Sequence, residues 1–127
     1  INNEFLATYR ADGIIISTPT GSTGYSLSCG GPIITPDSNC LVITPIAPHN
    51  LTTRPLIISD SSKIKMKIES REPEFLVSVD SETHALPTDT EINIAIASHT
   101  VNMVVFPEIT FLKTLRNKLL WGDDTRN

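Results

Sequence analysis

The sequence predicts a mainly β domain with sandwich-like antiparallel sheets, one short helix and a C-terminal helix. Three observations support this fold class. First, 37 of the 127 residues are Ile, Val or Thr and only 6 are Ala, and β-branched side chains favour strands over helices. Second, nine prolines and six glycines divide the chain into short segments. Third, apolar and polar residues alternate along several segments, as they do in strands with one buried face.

The predicted strands are of two kinds. Two continuous apolar runs, Gly13–Ser17 and Leu41–Ile46, are typical of strands covered on both faces. Four later segments alternate or continue an alternation, which indicates half-buried strands; they are Lys63–Glu69, Phe75–Asp80, Glu91–Ala97 and Thr100–Phe106. We expect the first two of these four to be antiparallel neighbours across a turn at 71–74. In all, seven or eight short strands are expected.

A short helix is predicted over Ser22–Cys29, between the two apolar runs. Ser22 or Thr23 can cap its free amides. Gly30 or Gly31 can adopt the left-handed conformation that ends it.

A second helix is predicted over Ile109–Trp121, where leucines recur at helical spacing. Gly122 follows it and is expected to end it.

Composition excludes several classes of function. The net charge is −4 and the pI is about 5.2, which argues against nucleic-acid binding. No apolar run approaches the roughly 18 residues of a membrane span, and no signal peptide is visible. Cys29, Cys40 and His49 match no common zinc spacing. We therefore expect a cytoplasmic domain with no nucleic-acid, membrane or metal partner.

The segment Thr18–Ser28 contains the densest chemistry. Its sequence, TPTGSTGYSLS, places several hydroxyls and two glycines between a strand and a helix start. Such a turn can present backbone amides to a polar ligand, and Tyr25 can stack on a base. It is not a P-loop, because the Lys is missing. A purely structural interpretation, a tight entry turn to a capped helix, also fits these residues.

These residues and several later motifs together resemble the bacterial NAD kinases. The matching segments are Asp12–Gly13, Ser17–Ser28, Gly30–Pro32, Thr44–Leu51, Arg54–Leu56, Val79–Glu82 and Thr114–Gly122. The resemblance covers essentially the whole chain in order. It implies an enzyme that transfers a phosphoryl group from ATP or polyphosphate, with a divalent cation such as Mg²⁺, to the 2′-hydroxyl of the NAD adenosine ribose, giving NADP.

The resemblance also implies a division of labour between two domains. An N-terminal domain carries a GGDG motif whose Asp is the catalytic base, and a C-terminal, mostly β domain binds NAD. Residues 1–127 resemble the C-terminal domain alone, as a single domain, and contain no GGDG. We therefore expect an N-terminal partner domain to be needed, and the isolated chain to be inactive, with no catalytic and no metal-binding residue of its own.

The resemblance implies ten NAD-binding residues, in two groups. Thr23, Gly24 and Tyr25 correspond to positions that line the adenine and ribose pocket. Thr20 and Ser28 lie beside them.

Arg10 and Asp12 correspond to positions that reach the nicotinamide ribose, often from a neighbouring subunit. Ala47, His49 and Glu82 correspond to further pocket positions. A homodimer or homotetramer is therefore expected.

Two other functions stay open at this point. One is a non-catalytic module that binds a dinucleotide and assembles oligomers, and the other is a domain related to lipid kinases, which share the fold. The sequence does not specify the phosphoryl donor, the preference for NAD or NADH, the number of subunits, or whether the chain binds ligand alone.

Overall fold

Antiparallel strands make up most of the regular secondary structure in the part of the chain that the structure describes. The structure, a computed structural model, describes residues 1–121. The strands are β1 (Gly13–Ser17), β2 (Cys40–Ile46), β3 (Leu56–Ser59), β4 (Ile64–Lys67), β5 (Glu74–Val79), β6 (Glu82–Pro87) and β7 (Glu91–Ile94), and the α-helices are α1 (Tyr25–Ser28) and α2 (Phe111–Leu119). This confirms the predicted mainly β, antiparallel fold with one short helix and a C-terminal helix.

The first sheet has the order β1-β2-β3, with β2 at its centre. Residues 41–45 of β2 are all buried, as the continuous apolar run predicted. Leu41 and Ile43 pack with Ile64 of β4 to form the core. Val42 and Thr44, which alternate with them and therefore face the opposite side, are fully buried as well.

The other strands form two separate two-stranded sheets, β4-β7 and β5-β6. The expected pairing of Lys63–Glu69 with Phe75–Asp80 is therefore wrong. The β4-β7 register sets Ile64 opposite Ile94 and Met66 opposite Ile92, so one apolar face continues into the core. Alternation identifies a strand and its buried face but not its partner. Strands β3 and β6 were not predicted from the sequence. Strands β4 and β7 are shorter than the predicted segments Lys63–Glu69 and Glu91–Ala97.

The predicted strand Thr100–Phe106 is also wrong. This segment has no regular secondary structure, and its residues are exposed. A strand requires a neighbour for its backbone amides and carbonyls, and no strand within residues 1–121 pairs with this one. The apolar composition of this segment predicted a strand, but composition does not determine whether a neighbouring strand is present to pair with it.

The second predicted helix is confirmed but is shorter than Ile109–Trp121. It begins after Thr110, whose side chain accepts a hydrogen bond from the Lys113 amide at 3.2 Å and so caps the helix. Leu120, with φ of 54°, follows its last residue in the left-handed conformation. Gly122, the expected end, lies outside the described residues. Among the residues that the structure describes, no helix is both long and apolar enough to cross a bilayer.

The carboxylate of Glu91 joins the two strands of the β4-β7 sheet. Asn93 Nδ2 donates a hydrogen bond to Oε1 at 3.3 Å, and Lys65 Nζ lies 3.3 Å from the same oxygen. The hydrogen bond from Asn93 and the contact with Lys65 favour the ionised form, so they lower the pKa of Glu91 below its ordinary value of 4.5. A lowered pKa in the folded state adds stability above the unfolded-state pKa, and this stability is lost as pH falls through the folded-state pKa.

We expect Glu91→Gln to lower the Tm by about 1–3 °C at pH 7, because an exposed ion pair contributes little. The difference from wild type should shrink as the pH falls from 7 towards 3, because protonation of Glu91 removes the contacts that stabilise its charged form. Thermal unfolding followed by circular dichroism across this pH range measures it. Glu74→Gln, on an exposed glutamate of β5, is the matched control and should change the Tm equally at both pH values. An equal loss for Glu91→Gln at pH 7 and pH 3 would contradict the assignment.

Candidate functional site

The predicted ligand turn follows β1 and folds as two short helical pieces. Thr20–Thr23 is a 3-10 turn and Tyr25–Ser28 is a single α-helical turn. The predicted helix Ser22–Cys29 is thus helical but interrupted at Gly24, whose ψ of −133° breaks the repeat. Because α1 has only one turn, its dipole is small, and the attraction for an anion expected from a helix N-terminus is correspondingly weak.

Neither Ser22 nor Thr23 caps α1, so that prediction is wrong. The Ser22 hydroxyl donates to the Pro19 carbonyl at 2.6 Å and accepts from the Ile34 amide at 3.0 Å. It is fully buried, and it ties the turn to the segment that leads back to β2. Thr23 Oγ1 donates to the Thr20 carbonyl instead. Both hydroxyls therefore bond within or beneath the turn instead of capping the helix: Ser22 from the buried side and Thr23 at the exposed surface.

Two glycines follow α1 and have different roles. Gly30 has φ of +81°, the left-handed conformation that ends the helical turn. Gly31 is buried, and its amide donates to the Ser26 carbonyl at 2.8 Å. There the requirement is for space: an added Cβ would lie 2.9 Å from Thr44 Oγ1.

The outer face of the turn is accessible. The predicted ligand residues on it are all exposed, namely Thr20, Thr23, Gly24, Tyr25 and Ser28. Tyr25 is 63% exposed. Side chains of residues 1–121 therefore leave the outer face of the turn uncovered, and the Tyr25 ring is exposed.

Ser17, the last residue of β1, begins the matching segment Ser17–Ser28 but was not predicted to bind the ligand. Its Oγ is buried and has no hydrogen-bond partner among residues 1–121. A Cβ on Gly21 would lie 3.4 Å from Ser17 Cβ, so this residue lies next to the turn. Its place in the matching segment was the signal available in the sequence.

A second group of predicted residues lies at the other end of β1. The β1-β2 register ends with Gly13 opposite Ile46. Beyond it, the Asp12 amide donates to the Ile46 carbonyl at 3.0 Å, and the His49 amide donates to the Arg10 carbonyl at 2.9 Å. Backbone hydrogen bonds thus bring Arg10 next to His49, and Asp12 next to the residue before Ala47.

A cavity of about 620 Å³ adjoins this second group. Its lining includes Arg10 and His49 together with five residues that were not predicted to bind the ligand: Ala7, Thr8, Tyr9, Asn50 and Thr53. The volume is within the range of small-molecule sites. Asn50 lies in the Thr44–Leu51 motif, and for the other four the available signal was proximity in sequence to Arg10 and His49.

The arginine of the Arg54–Leu56 motif has a local structural role. Arg54 Nη1 donates to the carbonyls of Leu51 and Thr53, at 2.7 and 2.8 Å. These bonds close the loop between β2 and β3, which carries Asn50 and Thr53 of the cavity lining.

Glu82 stands apart from both groups. It begins β6, paired with Val79 across the turn of the β5-β6 hairpin, and its Oε2 lies 3.6 Å from His84 Nε2. No hydrogen bond within residues 1–121 joins it to the other nine predicted residues, nor does one join the turn residues to the group around Arg10. The ligand-binding roles of all ten residues stay predictions.

Comparison with known proteins shows the family of the chain. Residues 1–106 match the family model described as the ATP-NAD kinase C-terminal domain. The chain belongs to this family. NAD kinases of Flavobacterium psychrophilum and Cytophaga hutchinsonii are 60% and 46% identical to it over 127 residues. This NAD kinase domain covers 43% and 44% of those two relatives, less than half of their length. The resemblance inferred from the motifs is confirmed.

Two solved structures share the fold. Yeast NADH kinase complexed with NADH superposes with a TM-score of 0.84 over 98% of this chain and 39% of that chain, at 31% identity. An NAD kinase from Archaeoglobus fulgidus in complex with ATP superposes with a TM-score of 0.66 over 76% of this chain and 37% of that chain, also at 31% identity. The chain therefore shares its fold with these two solved structures.

Ala47 lies in the second group with φ of 44°, in the left-handed region, which costs a residue with a Cβ about 1–2 kcal/mol. We expect Ala47→Gly to raise the free energy of unfolding by about 0.5–1 kcal/mol, because the relief of strain exceeds the added entropy of the unfolded chain. Urea unfolding measures it. Ala85→Gly, in β6, is the control and should lower stability by about 0.5–1 kcal/mol. If both variants lost stability equally, the strain at Ala47 would be refuted.

Proposed function

We propose that this chain is the NAD-binding half of an NAD kinase. The enzyme transfers a phosphoryl group from ATP or polyphosphate to the 2′-hydroxyl of the NAD adenosine ribose and yields NADP. The observation that carries the proposal is the accessible turn Thr20–Ser28, anchored from below by buried hydroxyls, in a chain that shares its fold and 31% identity with a kinase complexed with NADH.

The turn supplies recognition of the adenosine. The exposed ring of Tyr25 stacks on the base, and the backbone at Gly24, which has no side chain, lets the nucleoside approach closely. The hydroxyls of Thr20, Thr23 and Ser28 are available to the ribose. These contacts orient the 2′-hydroxyl, and orientation is a large part of phosphoryl-transfer catalysis.

The transfer itself needs a group that these residues do not supply. The 2′-oxygen forms a bond to phosphorus as the bond to the leaving group breaks, and its proton passes to a base. The sequence contains no GGDG, so we assign that base to the remainder of a longer polypeptide. Within residues 1–121, no three His, Cys, Asp or Glu side chains lie together. The role that we propose for the described residues is binding and orientation.

The residues around Arg10 serve the nicotinamide side of a dinucleotide in this proposal. Their separation from the turn in the hydrogen-bond network supports a site completed between two copies of the chain, in a homodimer or homotetramer. The free thiols of Cys29 and Cys40 support a reducing compartment, the cytoplasm.

Tyr25→Ala tests the turn as the adenosine site. We expect the Kd of the full-length gene product for NAD to rise about 5- to 100-fold, because stacking of a base on an aromatic ring contributes about 1–3 kcal/mol. The Tm should stay within about 3 °C of wild type, since the side chain is exposed. Isothermal titration calorimetry measures the affinity. Phe106→Ala removes an aromatic ring of matching exposure (62%) outside the turn and should leave the Kd unchanged. Equal affinity of Tyr25→Ala and wild type would rule out stacking.

The division of labour is tested with the isolated chain. We expect no NADP from residues 1–127 with NAD, ATP and Mg²⁺, because the base is missing, whereas the full-length gene product forms NADP. Formation of NADP by the isolated chain would overturn this assignment. Thermal shifts separate the alternatives: stabilisation by NAD or NADP supports the proposal, stabilisation by a lipid head group alone supports the lipid-kinase relation, and no shift of the full-length product with either rejects ligand binding by this domain.

A further inference from the structure

We propose that the buried hydroxyl pair of Ser26 and Thr44, closed over by Gly31, positions the ligand turn on the sheet. The inference rests on the proposed function, and it assigns positioning roles to three residues that do not themselves face the ligand. Ser26 belongs to the Thr18–Ser28 motif and Thr44 to the Thr44–Leu51 motif. Their contact is the physical link between the two motifs.

The two side chains contact each other directly and are buried from solvent. The hydroxyl oxygens of Ser26 and Thr44 share a hydrogen bond of 2.8 Å, and both residues are essentially inaccessible to solvent, at 1% and 0% exposure. A buried hydroxyl without a partner is costly, so each side chain restricts the other to one arrangement. Thr44 lies opposite Ile15, in the middle of the β1-β2 ladder, which makes it a rigid base for the turn.

Gly31 sets how closely the turn approaches the sheet. Its amide donates to the Ser26 carbonyl at 2.8 Å. A Cβ at this position would lie 2.7 Å from that carbonyl oxygen and 2.9 Å from Thr44 Oγ1, closer than real contacts allow. A glycine here lets the backbone pass directly over the hydroxyl pair.

The anchor decides the direction in which Tyr25 points. A single helical turn is marginal by itself, so it does not hold its own orientation. Ser26 faces inward to Thr44, and consecutive helical residues are rotated by about 100°, so the adjacent Tyr25 is turned outward. The tyrosine ring therefore takes its position from a contact made by the neighbouring residue on another side of the helical turn.

Burial alone does not explain a hydroxyl at this place. Val42 occupies the same face of β2, two residues before Thr44, and is equally buried with an apolar side chain. Valine has nearly the shape of threonine, and a position that needed only packing would accept it. The hydroxyl adds direction, because a hydrogen bond specifies where its partner lies.

The test compares variants of the full-length gene product. Ser26→Ala combined with Thr44→Val removes both hydroxyls, so neither is left unpaired and the fold is retained. We expect the Tm to stay within about 5 °C of wild type while the KM for NAD rises at least about fivefold, because the turn is no longer oriented. The KM for ATP should stay within about twofold. The single variant Thr44→Ser keeps a hydroxyl at this position, and its KM for NAD should stay within about twofold of the wild-type value.

A matched control removes a hydroxyl pair of the same chemistry elsewhere. Thr35 and Ser38 share a hydrogen bond of 3.0 Å on an exposed loop, and Thr35→Val combined with Ser38→Ala should leave both KM values unchanged. An unchanged KM for NAD in the Ser26 and Thr44 double variant overturns the positioning role and leaves the proposed function standing. Equal rises in both KM values also overturn it, since they indicate general damage. If the wild-type protein binds neither NAD nor NADH, the proposed function fails and this inference fails with it.

Discussion

Burial of β2 on both faces is the constraint on which the rest of this structure depends. Residues 41–45 are all buried, although β2 has β1 and β3 only at its edges. Each face must therefore be covered by something else. One face receives the small core that includes Ile64, and the other is covered near Thr44 by the turn that carries Ser26. The accessible outer face of the turn is the reverse side of this covering layer.

The same strand pair organises the second group of predicted ligand residues. Just beyond the paired ends of β1 and β2, the His49 amide donates to the Arg10 carbonyl and brings the two residues together. Loops supported by a rigid sheet can hold polar groups in fixed positions. A left-handed Ala47 at this point is the kind of strain that surrounding structure maintains at functional sites. Both halves of the proposed site thus derive their geometry from a single antiparallel pair.

Much of the fold was predictable from local pattern. Period-2 alternation identified the strand at Ile64–Lys67 and its buried face, and helical spacing identified Phe111–Leu119. Partners were not predictable, since several apolar faces of similar length compete for each other and only the packed core selects among them. The segment Thr100–Phe106 shows the same limit, because its composition favours a strand but no described strand pairs with it.

The sequence by itself determined the family, because hydroxyl- and glycine-rich motifs in a set order are local features that can be read without coordinates. It also determined that β1 and β2 are strands and that β2 is covered on both faces, whereas β1 is only half-buried. Only the tertiary structure decided what each hydroxyl does. Tyr25 and Ser26 are adjacent in one motif, yet the first is exposed and the second is buried beneath the turn. That division depends on which side of the turn meets Thr44, a contact across 18 residues of chain that no local pattern records.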